Sequence, residues 1–256
     1  INIIFFIFFN KLIILINLYD IPNKRKIHKN PTPSSGGFYL IINLSVLLLF
    51  YKSEYFDSKN LLLNLRHFYS FYFTILLIFF VGFIDDLVDL SALKKTFFLS
   101  IAIYMAILID PDLIISNLHF SFADKIFYLK DISIFFTLFC IFIFISAFNM
   151  FDGTNLQSGL YSLSIIIIFI LYSGYINLFL PIIAFLIFFI FYNSQGKIFL
   201  GNAGSHAMGF TLSWFFIKLY NKDIIPNVDE VILIMLIPGL DLARLFITRL
   251  IKNTAF

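Results

Sequence analysis

Charge is scarce in this chain, and no stretch of it is both long and polar. Only 13% of the 256 residues are Asp, Glu, Lys or Arg, about half the share of an ordinary soluble domain, which argues against a separate soluble domain. Cysteine is rarer still. Cys140 stands alone, so no intramolecular disulfide can form, and its apolar surroundings make it helix filler. No internal repeat is visible. The opening run 1–19 lacks the basic leader and small-residue cleavage site of a signal peptide and reads as a membrane helix. What abounds is hydrocarbon: the chain is 61% hydrophobic with a mean hydropathy of +0.96, and apolar runs recur from end to end. The expected fold class is all-α, a polytopic membrane helical bundle. One integral-membrane domain is expected over 1–256, cut from a longer protein at both ends.

A membrane helix needs about 20 mostly apolar residues, within a range of roughly 17–25. Nine segments qualify or nearly do: 1–19, 38–52, 68–84, 95–112, 132–150, 157–174, 177–192, 205–220 and 230–248. The second and seventh are short. Segment 113–131, with Asp124, Lys125, Lys130 and Asp131 among aromatics, is expected to form a small surface hairpin. Alternation puts 20–37, 85–94, 149–156, 193–204 and the end after Leu240 on one side, with ten basic residues against seven on the other. The positive-inside rule makes the first side cytoplasmic. Four of those ten lie in the first loop, where early charges weigh most. The net charge of +3 is scattered over short loops and implies no nucleic-acid partner.

The most informative segment is the acidic cluster Asp85, Asp86 and Asp89 at the end of the run from Phe68 to Ile84. Three carboxylates at the centre of a bilayer would cost about 7–10 kcal/mol, while the strongly apolar residues of that run return only about 4–7. The cluster must therefore sit at the membrane edge or in a wet cavity, and such a group is a functional-site candidate. If the helix continues, Asp85 and Asp89 share a face and Asp86 points about 100° away. Close carboxylates coexist ionised only beside a cation, and Mg²⁺ suits oxygen ligands and phosphates. The plain alternative is an acidic capping turn answered by Lys94 and Lys95.

Other loaded segments fall on the same side. Asn149-Met150-Phe151-Asp152-Gly153-Thr154-Asn155 holds an Asp-Gly turn. Asp152 can be a second acid there, with Asn149 and Asn155 as amide hydrogen-bonders. Phe199-Leu200-Gly201-Asn202-Ala203-Gly204-Ser205 precedes a helix, where Gly-rich turns bind phosphates through backbone N–H groups, although Ser205 can also be an ordinary N-cap. The first loop, Lys24 to Gly37, contains His28 and Lys29, which can grip a phosphate, or it can simply attract anionic headgroups. Asp241, Arg244 and Arg249 close the set, the arginines in part as snorkelling anchors.

Taken together these segments resemble the polyprenyl-phosphate N-acetylhexosamine-1-phosphate transferases, the family that includes the phospho-N-acetylmuramoyl-pentapeptide transferase. The match runs in order through His28-Lys29 with Pro33 and Gly36-Gly37, Asp85-Asp86-x-x-Asp89, Asn149-Met150-x-Asp152-Gly153, and Phe199-Leu200-Gly201-x-x-Gly204-Ser205, with Asp241 and Arg249 as a looser fifth element. The resemblance implies transfer of a sugar 1-phosphate from a UDP-sugar to a polyprenyl phosphate, releasing UMP, in cell-envelope polysaccharide or peptidoglycan synthesis. It implies Mg²⁺ held by Asp85, Asp86 and the position of Asn202. Asp85, Asp86 and Asp152 are the implied catalytic residues, and His28, Lys29, Asn149, Asn155, Gly201, Gly204 and Ser205 the implied substrate contacts. The implied partners are a UDP-activated amino sugar, a polyprenyl phosphate lipid, the membrane and a second copy in a homodimer. The implied location is the inner membrane, with the site on its cytoplasmic face.

The chain departs from the family pattern at Asn202, where the family usually has a metal-binding Asp. Asn155, Ser146 and Ser34 are further departures, and the family's His-rich loop is absent before Phe256. A degenerate member that binds lipid phosphate without turnover is therefore an alternative. A membrane prenyltransferase using DDxxD is disfavoured by the lack of a second Asp-rich cluster. A transporter is disfavoured because the acidic groups sit at helix ends.

Overall fold

The computed structural model of the chain describes residues 18–22, 30–50 and 65–252, together with positions 2, 5 and 16. Eight helices lie among them: α1 (Gly36–Phe50), α2 (Leu65–Val88), α3 (Ala92–Ile109), α4 (Ser133–Phe151), α5 (Gln157–Ser173), α6 (Ile176–Ser194), α7 (Gly201–Asn221) and α8 (Val228–Lys252). They correspond to eight of the nine expected segments; the run 1–19 lies outside the described residues apart from single positions and its last two residues. Five helices are long and apolar enough to cross a membrane, namely α2, α3, α6, α8 and the stretch Lys130–Phe151 that contains α4. Also among the described residues are two short 3-10 turns (Pro111–Leu113 and Lys130–Ile132) and two pairs of two-residue strands, β1 (Tyr19–Asp20) with β2 (Thr32–Pro33) and β3 (Asn117–Leu118) with β4 (Phe127–Tyr128), both antiparallel. The second pair is the hairpin expected in segment 113–131.

The helices lie around α7, which is buried continuously from Ala203 to Tyr220 and packs on α1, α2 and α4. A helix shielded from lipid on every side has no need to be apolar, and α7 accordingly carries Gly, Ser, His, Thr and Lys. Its neighbours approach backbone to backbone. A Cβ on Gly82 of α2 would lie 2.5 Å from the Asn202 carbonyl oxygen, and one on Gly37 of α1 would lie 2.6 Å from the Gly204 nitrogen. Small residues permit such crossings in membrane bundles. Farther along α7, Trp214, Phe215 and Phe216 interlock with Phe71, Phe179 and Phe169 at ring distances of 4.9, 4.9 and 4.7 Å.

Two boundaries differ from the sequence reading. α2 continues through Asp85 and Asp86 to Val88, and Asp89 then turns with φ +50. Asp89 is therefore off the helix and does not share a face with Asp85. α7 begins at Gly201 (φ +73), so the Gly-rich segment is the first turn of the helix and Ser205 is not its N-cap.

Candidate active site

The ends of α2, α4, α6 and α7 meet at one end of the bundle around a cleft of about 700 Å³. Its polar lining includes Asp20, Ser34, Asp86, Asn149, Asp152, Asn155, Asn193, Asn202 and Ser205, with Gly201 beside them and Phe199 and Leu200 as its apolar part. The segments are laced together by main chain: Phe199 N–H donates to Pro33 at 2.9 Å, Gly36 N–H to Phe199 at 2.9 Å, and Gly37 N–H to Leu200 at 3.2 Å. The β1–β2 pairing brings Asp20 to the same place.

The adjacent carboxylates of α2 point in different directions. Asp86 Oδ1 accepts the Asn202 N–H at 2.8 Å and Oδ2 accepts the Ala203 N–H at 3.0 Å. No side chain of α7's own N-cap residue, Leu200, caps the helix, so Asp86 caps it from across the bundle, where the helix dipole favours a negative charge. Two N–H groups that the sequence reading offers to a phosphate are thus already donated to Asp86. Gly201 makes the approach possible, since a Cβ there would meet Asp86 Oδ2 at 2.9 Å. Asp85 is buried and turned away from the cleft; Lys95 of α3 lies 2.5 Å from its Oδ2, and the Leu90 N–H donates to its Oδ1 at 2.9 Å. For Asp85 the arrangement is that of the acidic capping turn answered by lysine.

Asp152 follows the last residue of α4 and accepts the Ser158 hydroxyl. Burial pushes its carboxyl up to about 7, the Ser158 hydrogen bond pulls it back, and the Asp86 charge adds a smaller upward push. Asn149 Nδ2 donates to Asn202 Oδ1 at 2.8 Å and to Ser205 Oγ at 2.6 Å, tying α4 to α7. Asn155 is exposed on the rim. Gly204 does not line the cleft and packs against Gly37. Asp241 and Arg244 pair with each other on α8 at 2.7 Å, away from the cleft lining. His28 and Lys29 lie outside the described residues.

The sequence reading missed Asp20, Asn193 and Ser158. Asn193 is buried; its Oδ1 accepts the Leu156 N–H at 2.6 Å and its Nδ2 donates to the Ile198 carbonyl at 2.9 Å. It thereby joins the loop after α4 to the loop before α7 and holds Leu156 at φ +71. A lone Asn ending an apolar run gives no sign of this.

Asp86, Asp152 and Asn202 bring side-chain oxygens to the lining of the same cleft, and oxygen is the ligand type that a hard cation takes. The one cluster among the described residues whose His and Asp ligand atoms lie within 4.8 Å of one another is elsewhere: His67, Asp110 and Asp112, at the opposite end of the bundle. There Lys218 Nζ already sits 2.7 Å from Asp110 Oδ1, so an ammonium answers those carboxylates.

The family model of glycosyl transferase family 4 matches residues 68–220. The chain belongs to glycosyl transferase family 4. The part matched to that family runs from α2 to α7 and holds Asp85, Asp86, Asn149, Asp152, Asn155, Gly201, Asn202 and Ser205; Asp20, His28, Lys29 and Ser34 lie outside it. Among family relatives, the undecaprenyl-phosphate alpha-N-acetylglucosaminyl 1-phosphate transferase of Yersinia pestis is 29% identical over 255 residues, covering 95% of this chain and 67% of that protein. Enzymes of the same name from Salmonella typhi and Escherichia coli (strain K12) are 28% and 27% identical, each covering 98% of this chain and 68% of their own length.

Proposed function

We propose that the cleft transfers an N-acetylhexosamine 1-phosphate from a UDP-sugar to a polyprenyl phosphate such as undecaprenyl phosphate, releasing UMP. The single observation that carries this reading is the convergence of Asp86, Asp152, Asn149 and Asn202 on one large cleft at the end of a membrane bundle. The names of the relatives support the lipid phosphate acceptor and the amino-sugar phosphate. A lipid-borne nucleophile needs a site at the membrane edge, and a nucleotide sugar needs one open to water; a helix-end cleft meets both demands.

In the reaction, an oxygen of the polyprenyl phosphate forms a bond to the phosphorus carrying the sugar. The bond from that phosphorus to the bridging oxygen breaks, and UMP departs with the electron pair. Such transfers are catalysed mainly by positioning and charge compensation. The oxygen set of Asp86, Asp152 and Asn202 fits Mg²⁺, which when bound there supplies charge neutralisation of the diphosphate. Asp86 keeps α7 in register and presents its remaining lone pairs to the cleft. Without a metal, burial favours a proton on the Asp152 carboxyl, and that proton would be displaced by a bound cation. Asn149 fixes the Asn202 amide, and Asn155 offers an amide at the rim. His28 and Lys29 are assigned to phosphate contact on the motif alone. The excess of basic residues on this side supports a cytoplasmic cleft in an inner membrane.

The test is UMP release from a panel of UDP-N-acetyl sugars by full-length protein in polyprenyl phosphate vesicles with Mg²⁺. Release that requires both the lipid and the metal is expected; no UMP from any sugar in the panel would overturn the proposal.

A further inference from the structure

The hairpin opposite the cleft is charged by sequence and aromatic by surface. β3 and β4 pair over two residues each, too little to hold a hairpin in water unaided. Contacts to α7 and α8 hold it instead. The Tyr220 hydroxyl accepts the His119 N–H at 2.9 Å and donates to the Asn117 carbonyl at 3.2 Å. The Asp229 carboxylate accepts the Ser121 N–H at 2.8 Å and its hydroxyl at 2.6 Å, and the Val228 N–H donates to His119 at 2.8 Å. The hairpin is therefore a fixed platform joining the end of α7 to the start of α8.

That platform presents its rings outward. Phe120 touches Phe122 and Phe127 at 5.2 and 5.9 Å between ring centres, yet Phe122 is 81% exposed and Tyr128 66%. The exposed row does not stop at the hairpin. From Tyr128 of β4 the chain runs through one short 3-10 turn to the exposed Ile132, and Phe135 and Phe139 follow it at spacings of three and four, both exposed on the membrane-spanning α4. The hairpin thus leads directly into a helix that is long and apolar enough to cross a membrane and that leaves Phe135 and Phe139 exposed. Asp124, Lys125, Lys130 and Asp131 are all exposed around it and balance in charge, as suits a headgroup layer, where aromatic rings and long cationic side chains concentrate.

We propose that this hairpin is a membrane-interface anchor, with Phe122, Phe127 and Tyr128 inserted at the boundary between headgroups and acyl chains of the leaflet opposite the cleft. The observations that carry it are independent of the transferase reading: a rigid clamp, outward rings, and direct connection to a helix long and apolar enough to cross a membrane.

Spin labels test it on the full chain carrying Cys140→Ala, with single Phe122→Cys, Phe127→Cys or Phe139→Cys substitutions, reconstituted in phosphatidylethanolamine–phosphatidylglycerol vesicles. Labels at 122 and 127 are expected to collide more with oxygen than with a water-soluble nickel chelate, as the label at 139 does. Nickel-dominated collision at 122 and 127 would overturn the anchor. So would spin–spin broadening that disappears on dilution with unlabelled protein, because a second copy would then occupy the surface. Should labelling disturb folding, Phe122→Trp provides the second reading. Emission beyond that of the buried Trp214 should be quenched by brominated phospholipid, and quenching only by aqueous iodide would refute insertion.

Discussion

Asp85 and Asp86 are neighbours in sequence with different work. Asp86 caps α7 from the cleft wall, and Asp85 holds Lys95 and the turn after α2. The two substitutions to Asn should therefore separate. Asp86→Asn puts an amide N–H where a carboxylate oxygen accepted one and removes charge from the cleft; UMP release should fall by about 10²–10³-fold, the scale of losing one electrostatic contact in a site. Asp85→Asn leaves the Lys95 charge without its carboxylate and should lower the unfolding temperature more than the turnover of protein that remains folded. Asn202→Asp adds a negative oxygen next to Asp86, and the Asn149 amide can donate to a carboxylate as well as to an amide. Mg²⁺ affinity should rise on the order of tenfold, about 1.4 kcal/mol, by calorimetric titration. Unchanged affinity would remove the motive for regarding Asn202 as a handicap. Asp152 has a folded pKa of about 7, above the unfolded value near 3.9. The folded state therefore binds that proton more tightly, and its stabilising effect is full below about pH 4 and lost as pH rises towards 7. In EDTA, thermal unfolding of wild type should fall over this window relative to Asp152→Asn. A difference that stays flat with pH would show that burial does not hold the proton.

Among the elements, α7 decides the site, because its first turn is both a structural crossing and the cleft floor. Gly82→Ala would force a methyl group to within 2.5 Å of the Asn202 carbonyl oxygen, and backbone cannot yield as a side chain can. A loss of roughly 1–3 kcal/mol, the usual range for overpacking, should come with reduced UMP release as α7 moves off Asp86. Gly239 of α8 is the control: a Cβ there meets nothing within 4 Å, so Gly239→Ala should leave unfolding and activity unchanged or slightly raise stability. The glycines of the Phe199–Ser205 segment look like a phosphate cradle in sequence. In the fold Gly204 serves close packing and Gly201 serves a left-handed turn beside Asp86. Both uses need the same residue type, so composition could not tell them apart. The Asp85–Asp86 split was illegible for a related reason. Successive helical positions differ by about 100°, and which one faces the cleft depends on where α3 and α7 lie.

Across the whole molecule, polar chemistry sits at the two ends and aromatic packing lies between. The end opposite the cleft is closed by Lys218, which is fully buried, paired with Asp110 at 2.7 Å and lies 5.4 Å from the centre of the Trp214 ring. A count of loop charges treats Lys218 as exposed, whereas the fold makes it an internal counter-ion. Lys218→Met would leave Asp110 buried without its cation and should destabilise by about 3–5 kcal/mol. Adding Asp110→Leu should recover much of that loss in the same thermal unfolding measurement. Recovery would mark the pair as a replaceable brace; no recovery would point to His67, whose Nε2 lies 3.6 Å from both Asp110 and Asp112, as an essential part of the brace.

That the chain is a helical membrane bundle, where most of its helices run, and that the loops bearing Asp86, Asn149, Asp152 and Gly201 share one end can be read from the amino-acid order alone. Hydrophobic length and alternating connections suffice for that, because a bilayer admits few other arrangements of such runs. Which carboxylate faces the cleft, that Asp86 caps α7, that Asn193 joins two loops, and that a charged hairpin turns its rings outward emerge from the folded arrangement. Each of these depends on the direction of a side chain relative to a neighbour distant in sequence, and a one-dimensional pattern carries no such direction.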